Sequence, residues 1–175
     1  MPGPKVLTPD FFQRQTLEVT REVVGKFLVK REGGRELAYM ITEVEAYDGP
    51  EDKASHASRG RTPRTEVMFW SGGFFYIYLI YGMHHMLNIV TGKEGYPAAI
   101  LIRGVREVNG PGRLTRDLGI DKSFNRFRVV PDTGLWVEDR GVKSSYKKIR
   151  TCPRVGVDYA GEEWKNKPFR YILDV

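Results

Sequence analysis

Apolar residues recur along this chain with two periods, and the change between them lays out its elements. Phe12, Val19 and Val23, with Thr16 between them, fall at helical spacing on one face. Thr8-Pro9-Asp10 offers an N-cap followed by proline at the first helical position, and Gly25 offers a C-terminal stop, which predicts one helix between them. Beyond Gly25 the period shortens to that of strands. Residues 26–31 and 36–47 form a predicted hairpin around Gly33-Gly34, and residues 74–81 and 84–91 form a second around Gly82-Met83. Residues 98–105, 135–138, 150–157 and 169–173 are further predicted strands, and Gly110-Pro111-Gly112 opens a short helix over residues 113–118. A helix followed by mostly antiparallel strands predicts an α+β fold: a single domain, residues 1–175, with a curved sheet, flanking helices and a protruding hairpin.

Alternation assigns faces. In the strand 36–47, Glu43, Glu45 and Tyr47 point one way and Thr42, Val44 and Ala46 the other. In the strand 98–105, Ala99, Leu101 and Arg103 share a face, and in 74–81 Tyr76 and Tyr78 oppose Phe75, Ile77 and Leu79. Tyr81 sits beside the turn, where an aromatic is hard to bury. Residues 51–63 form a polar loop holding His56, Arg59 and Arg61, longer than most connections and therefore a candidate for function.

Composition narrows the class. The chain has 175 residues, 41% hydrophobic and 29% charged, enough to bury one substantial core. Its apolar runs fall short of the roughly 20 residues that span a bilayer. Cys152 is the sole cysteine, so no internal disulfide forms, and Met1 to Pro4 carry no charged-then-apolar leader pattern. A cytoplasmic protein is expected. The net charge of +6 is concentrated late: residues 111–175 carry 14 Lys and Arg against 9 Asp and Glu. A stretch of Arg140, Lys143, Lys147, Lys148, Arg150 and Arg154 suggests a polyanionic partner.

Glu43 and Glu45 either lie on a solvated face, or one of them is a buried general base with Arg103 as its counter-charge. Two carboxylates two apart on a strand are separated by about 6.6 Å at the backbone, within the range of glycosidase pairs. Those pairs, however, flank the bond from opposite sides, which neighbours on one face do not. His84 and His85 are adjacent and point to opposite faces of a strand, which disfavours a shared metal ion. P-loop, GxGxxG and GxSxG patterns are absent. No cofactor or metal is expected. An aromatic at the Tyr81 tip could instead push between bases, since stacking is worth about 1–3 kcal/mol, comparable with the few kcal/mol that unstacking costs.

The ordered motifs Thr42-Glu43-Val44-Glu45-Ala46-Tyr47, Gly49-Pro50-Glu51-Asp52-Lys53-Ala54-Ser55-His56, the run from Tyr76 to Met83 with Asn88, Leu101-Ile102-Arg103, Gly110-Pro111-Gly112-Arg113-Leu114, Arg154-Val155-Gly156-Val157 and Lys167-Pro168-Phe169-Arg170-Tyr171 cover nearly the whole chain. In that order they resemble the alkyladenine (3-methyladenine) DNA glycosylase family. The resemblance implies a monofunctional glycosylase that flips an alkylated or deaminated purine out of double-stranded DNA and hydrolyses its N-glycosidic bond. Glu45 would be the base that deprotonates water, with Arg103 and the Val155 carbonyl as further ligands of that water. Tyr47, His56 and Tyr78 would wall the base pocket, Asn88 would clash with the exocyclic amine of guanine, and Tyr81 would intercalate. A monomer without cofactor is implied.

Two departures stand out: His84-His85 follows Met83 where apolar residues are expected, and Gly161-Glu162-Glu163-Trp164 is one residue longer than the usual Gly-Glu-Trp. The competing readings are a non-catalytic binder of damaged nucleic acid, needing the wedge but not Glu45 with Arg103, and a hydrolase of small glycosides.

Overall fold

The computed structural model describes residues 3–142 and 148–175. Among them, ten strands join one antiparallel network: β1 (Lys5–Val6), β2 (Phe27–Glu32), β3 (Arg35–Asp48), β4 (Phe75–Ile80), β5 (His84–Val90), β6 (Ala98–Val105), β7 (Val108–Asn109), β8 (Leu135–Asp139), β9 (Ile149–Cys152) and β10 (Arg170–Leu173). The main path runs β1-β8-β2-β3-β6-β5-β4, with β10 also on β3, β9 beyond it, and β7 on β6. Helices α1 (Pro9–Phe12), α2 (Thr16–Val23), α3 (Pro111–Leu118) and α4 (Gly161–Lys165) accompany the sheet. The fold is α+β, as the alternation predicts.

β3 is the spine. Its residues Arg35 to Met40 pair with β2, whereas Ile41 to Asp48 pair with β6. Register shifts between Ile41 and Val44 mark a bulge, which bends a strand and increases its twist. Just past it, Glu43-Val44-Glu45 pairs with β10 on the other side, so this acidic stretch lies mid-sheet. One face of that stretch is dry. Val44, Ile100, Ile102, Leu87, Ile89, Phe75 and Ile77 pack with Val19 and Val23 of α2 and Leu114 of α3. Each such side chain contributes about 1.5–3 kcal/mol through burial. The opposite face carries the polar residues.

Two expectations fail for reasons the structure makes visible. The single helix expected up to Gly25 is broken into α1 and α2. The Phe12 carbonyl accepts from the Gly92 N–H at 2.9 Å, so a tertiary contact takes a backbone group that a continuous helix would use. The strand expected over 150–157 stops at Cys152. Pro153 has no N–H to give, and Gly156 adopts φ +73°, so residues 153–157 form a strap across the polar face instead. No helix among the described residues is long and apolar enough to cross a membrane.

Candidate active site

Glu45 is the centre of the polar face, and its side chain is wholly buried. The Tyr47 hydroxyl donates to Oε1 at 3.0 Å, and the Val155 N–H donates to Oε2 at 2.7 Å. Arg103 Nη1 lies 3.5 Å from Oε1, close enough for attraction but beyond a strong hydrogen bond. These contacts favour the ionised form. Burial outweighs them, and the Glu45 pKa is raised above the ordinary glutamate value. A carboxylate that is buried, raised in pKa and bordering open space is suited to accept a proton.

A small pocket opens beside Tyr47, the residue whose hydroxyl bonds Glu45. Tyr47, His56, Tyr78 and Asn88 all line it. The β4–β5 register places Tyr76 opposite Asn88, which puts the aromatic and amide residues on one wall. His56 and Tyr78 meet edge to face at 4.5 Å. His56 Nδ1 is 3.0 Å from the Tyr76 hydroxyl, and Asn88 Nδ2 donates to the Met86 carbonyl at 3.3 Å. Burial, assisted by the nearby Arg64 cation, pulls the His56 pKa down to about 4, so its ring is neutral at physiological pH. Burial raises the Tyr47, Tyr76 and Tyr78 hydroxyls, which keeps them protonated and able to donate.

The pocket leads into a broad cleft bordered by Glu45, Arg103, Val155, Tyr81, His84 and the start of α3. Tyr81 stands at the tip of the β4–β5 hairpin and is 88% exposed, extreme for a large aromatic. The Met83 N–H closes the turn on the Ile80 carbonyl at 3.1 Å, with Tyr81 at φ +53° and Gly82 at φ +65°. Glycine tolerates that conformation; a bulky aromatic does so only at a cost, and such strain clusters at functional sites. The basic residues Lys53, Arg59, Arg64 and Arg113 border the cleft, and none of them forms an ion pair with a carboxylate among the described residues.

The expected basic stretch comes apart in the structure. Arg140 pairs with Glu138 and Arg150 with Asp174, while Arg154 is buried against Asp52, so their charges are spent within the fold. Lys143 and Lys147 lie outside the described residues. Lys148 lines a separate hollow, and the cleft rim instead carries Lys53, Arg59, Arg64 and Arg113, all from outside that stretch.

The structure thus brings Glu45, Arg103, Val155, Tyr47, His56, Tyr78 and Tyr81 around one cleft and Asn88 into its inner pocket. At Val155 it is the N–H that reaches Glu45, whereas the expected role falls on the carbonyl. The sequence reading missed Tyr159, which lines the pocket and donates to the Ala54 carbonyl at 2.6 Å, and the Asp52–Arg154 pair. Nothing in local spacing signals either, since their partners lie about a hundred residues away. Among the described residues, no three of His, Cys, Asp and Glu gather into a group that could hold a metal ion.

Comparison with known proteins bears on this arrangement. The family model described as methylpurine-DNA glycosylase matches residues 10–109 and 106–175. A protein of Methanocella arvoryzae is 43% identical over 95% of this chain and 91% of its own length. One from Anaeromyxobacter is 42% identical, over 96% and 89% respectively. One from Legionella pneumophila is 39% identical over 97% and 94%. All three are provisionally named 3-methyladenine DNA glycosylase.

Proposed function

This chain belongs to the methylpurine-DNA glycosylase family, and we propose that it removes alkylated or deaminated purines from double-stranded DNA by flipping them into the Tyr47–Tyr78 pocket. The reaction class is hydrolysis of an N-glycosyl bond. Glu45 is the base: it takes a proton from water as the water oxygen bonds to the sugar C1′. The C1′–N bond breaks, and its electron pair leaves with the purine. A cationic alkylpurine departs neutral, which makes it a good leaving group. The ionised carboxylate also stabilises the oxocarbenium character that develops on the sugar. Arg103 completes the water site beside Glu45.

The observation that carries this reading is the Glu45 carboxylate, buried mid-sheet, raised in pKa, bordering the cleft and bonded to Tyr47 of the pocket wall. The aromatic side chains of Tyr47, His56 and Tyr78 line the pocket, which suits a flat base. Asn88 lines the same pocket, where it meets the exocyclic amine of guanine and discourages normal bases. Tyr81 fills the gap in the duplex, and the rim cations hold phosphates on either side. All these groups come from one chain, which suits a monomer, and the unpaired Cys152 suits the cytoplasm.

The test is base release from duplex oligonucleotides carrying one alkylated adenine, hypoxanthine or ethenoadenine. The expected result is release without added metal, with strand breaks only after hot alkali. Strand cleavage before alkali would overturn the monofunctional mechanism, and tight binding without release would make the protein a lesion binder.

A further inference from the structure

Glu43 takes no part in the scheme above, yet it touches the groups that hold Glu45. Its Oε1 accepts from Arg103 Nε at 3.2 Å and from Arg170 Nη1 at 3.0 Å. Arg103 Nη1 then lies 3.5 Å from Glu45 Oε1. Arg170 Nε donates to the Pro153 carbonyl at 2.9 Å. Two residues further along the same strap, the Val155 N–H reaches Glu45 Oε2 at 2.7 Å.

Each oxygen of Glu45 therefore has a partner that Glu43 holds from behind. We propose that Glu43 is a positioning residue for the hydrolytic reaction: it aims Arg103 at one oxygen of Glu45 and, through Arg170 and Pro153, keeps the Val155 N–H on the other. The inference rests on Glu45 being the base. Its physical ground is that a long arginine bonded through Nε loses its freedom to swing, and that the side chains of Glu43, Arg103 and Arg170 are 12%, 15% and 24% exposed, which limits solvent screening. The charges balance locally, two carboxylates against two guanidiniums.

The groups facing Glu45 are Arg103 from β6, Tyr47 on β3, Arg154 from the strap, and the hydroxyls of Tyr78 and Tyr159, with Arg170 of β10 behind Glu43. Loosening Arg103 and Val155 removes two of the contacts that favour the Glu45 anion while its burial persists. The proton is then lost at higher pH.

Single-turnover base release across the acid limb of the pH profile tests this, with thermal melting to verify folding. Glu43→Ala is expected to lower the plateau by about 10²-fold, the loss typical of small misplacements, and to move the acid limb to higher pH. Glu43→Gln keeps an oxygen for both guanidiniums and is expected to recover most of the rate, with the limb at or below the wild-type position. Arg170→Ala, which cuts the Val155 arm alone, is expected to move the limb up as well, and carries the test if Glu43→Ala does not fold. A limb in Glu43→Ala no higher than in Glu43→Gln, an unmoved limb in Arg170→Ala, or a Glu43→Gln as slow as Glu43→Ala overturns the proposal. Turnover retained by Glu45→Gln, or a wild type with no acid limb, sinks the base assignment itself, and this inference falls with it.

Discussion

Two carboxylates lie fully buried within a few residues of each other, and the chain treats them in opposite ways. Asp52 is saturated. Its Oδ2 accepts from Arg154 Nη1 at 2.6 Å and the Asp48 N–H at 3.0 Å; its Oδ1 accepts from Arg154 Nη2 and the Ala54 N–H, both at 3.0 Å. Arg154 in turn donates to the Ala46 and Trp164 carbonyls and lies over the Tyr47 and Phe169 rings. Glu45 has an arginine too, but at 3.5 Å rather than 2.6 Å, and it borders the cleft. Matched donors on every side make a buried acid structural. A loosely matched acid with one side free keeps its affinity for a proton.

Asp52→Asn and Glu45→Gln break this contrast most directly. The first leaves the Arg154 charge buried without its partner and is expected to cost about 3–5 kcal/mol in a chemical denaturation experiment. The second removes a charge that burial disfavours, so it is expected to stabilise the fold at neutral pH. The sign follows from the raised pKa: folded Glu45 holds its proton more tightly than unfolded Glu45. Its penalty is absent below the ordinary glutamate value and develops as pH rises through the folded one. The gain in Glu45→Gln therefore vanishes on acidification. A Glu45→Gln variant that melts lower than wild type at neutral pH contradicts the reading of Glu45 as under-matched.

Tyr81 sharpens the comparison from the substrate side. Tyr81→Ala is expected to weaken affinity for a lesion duplex by about 1–3 kcal/mol, with a smaller loss on single strands. Equal losses on both speak against a wedge. Replacing Lys53 or Arg113 on the rim is expected to reduce the slope of log affinity against log salt by about 1 each, whereas Arg150, paired with Asp174, leaves it unchanged. The smallest effect concerns His56. Its ring resonances are expected to titrate near pH 4, where unfolded histidine titrates well above that, so the folded state loses stability to His56 only on acidification. A midpoint near the free histidine value rules out the neutral, buried ring.

Much of this was legible from alternation alone. Glu43, Glu45 and Tyr47 do share a face, as do Tyr76 and Tyr78, because a two-residue period survives wherever one side of a sheet is dry. Local turn chemistry located the Tyr81 tip. Arg103 as counter-charge to the acidic strand was legible from its place on an apolar strand, but the Asp52–Arg154 pair was not, because Arg154 reads as one more member of a basic run until the chain folds it onto Asp52. The helix break at Phe12 was equally hidden: the competing donor, Gly92, comes from beyond β5. The strap at 153–157 needed Pro153 to be weighed more heavily than the β-like residues around it.

Base release and lesion binding measured side by side for wild type and Glu45→Gln test the central claim most directly. The account predicts that Glu45→Gln binds a lesion duplex nearly as well as wild type while release falls by about 10²–10⁴-fold, the usual contribution of a positioned acid–base group. Release at the wild-type rate by Glu45→Gln would contradict it and move the chemistry to another residue in the cleft.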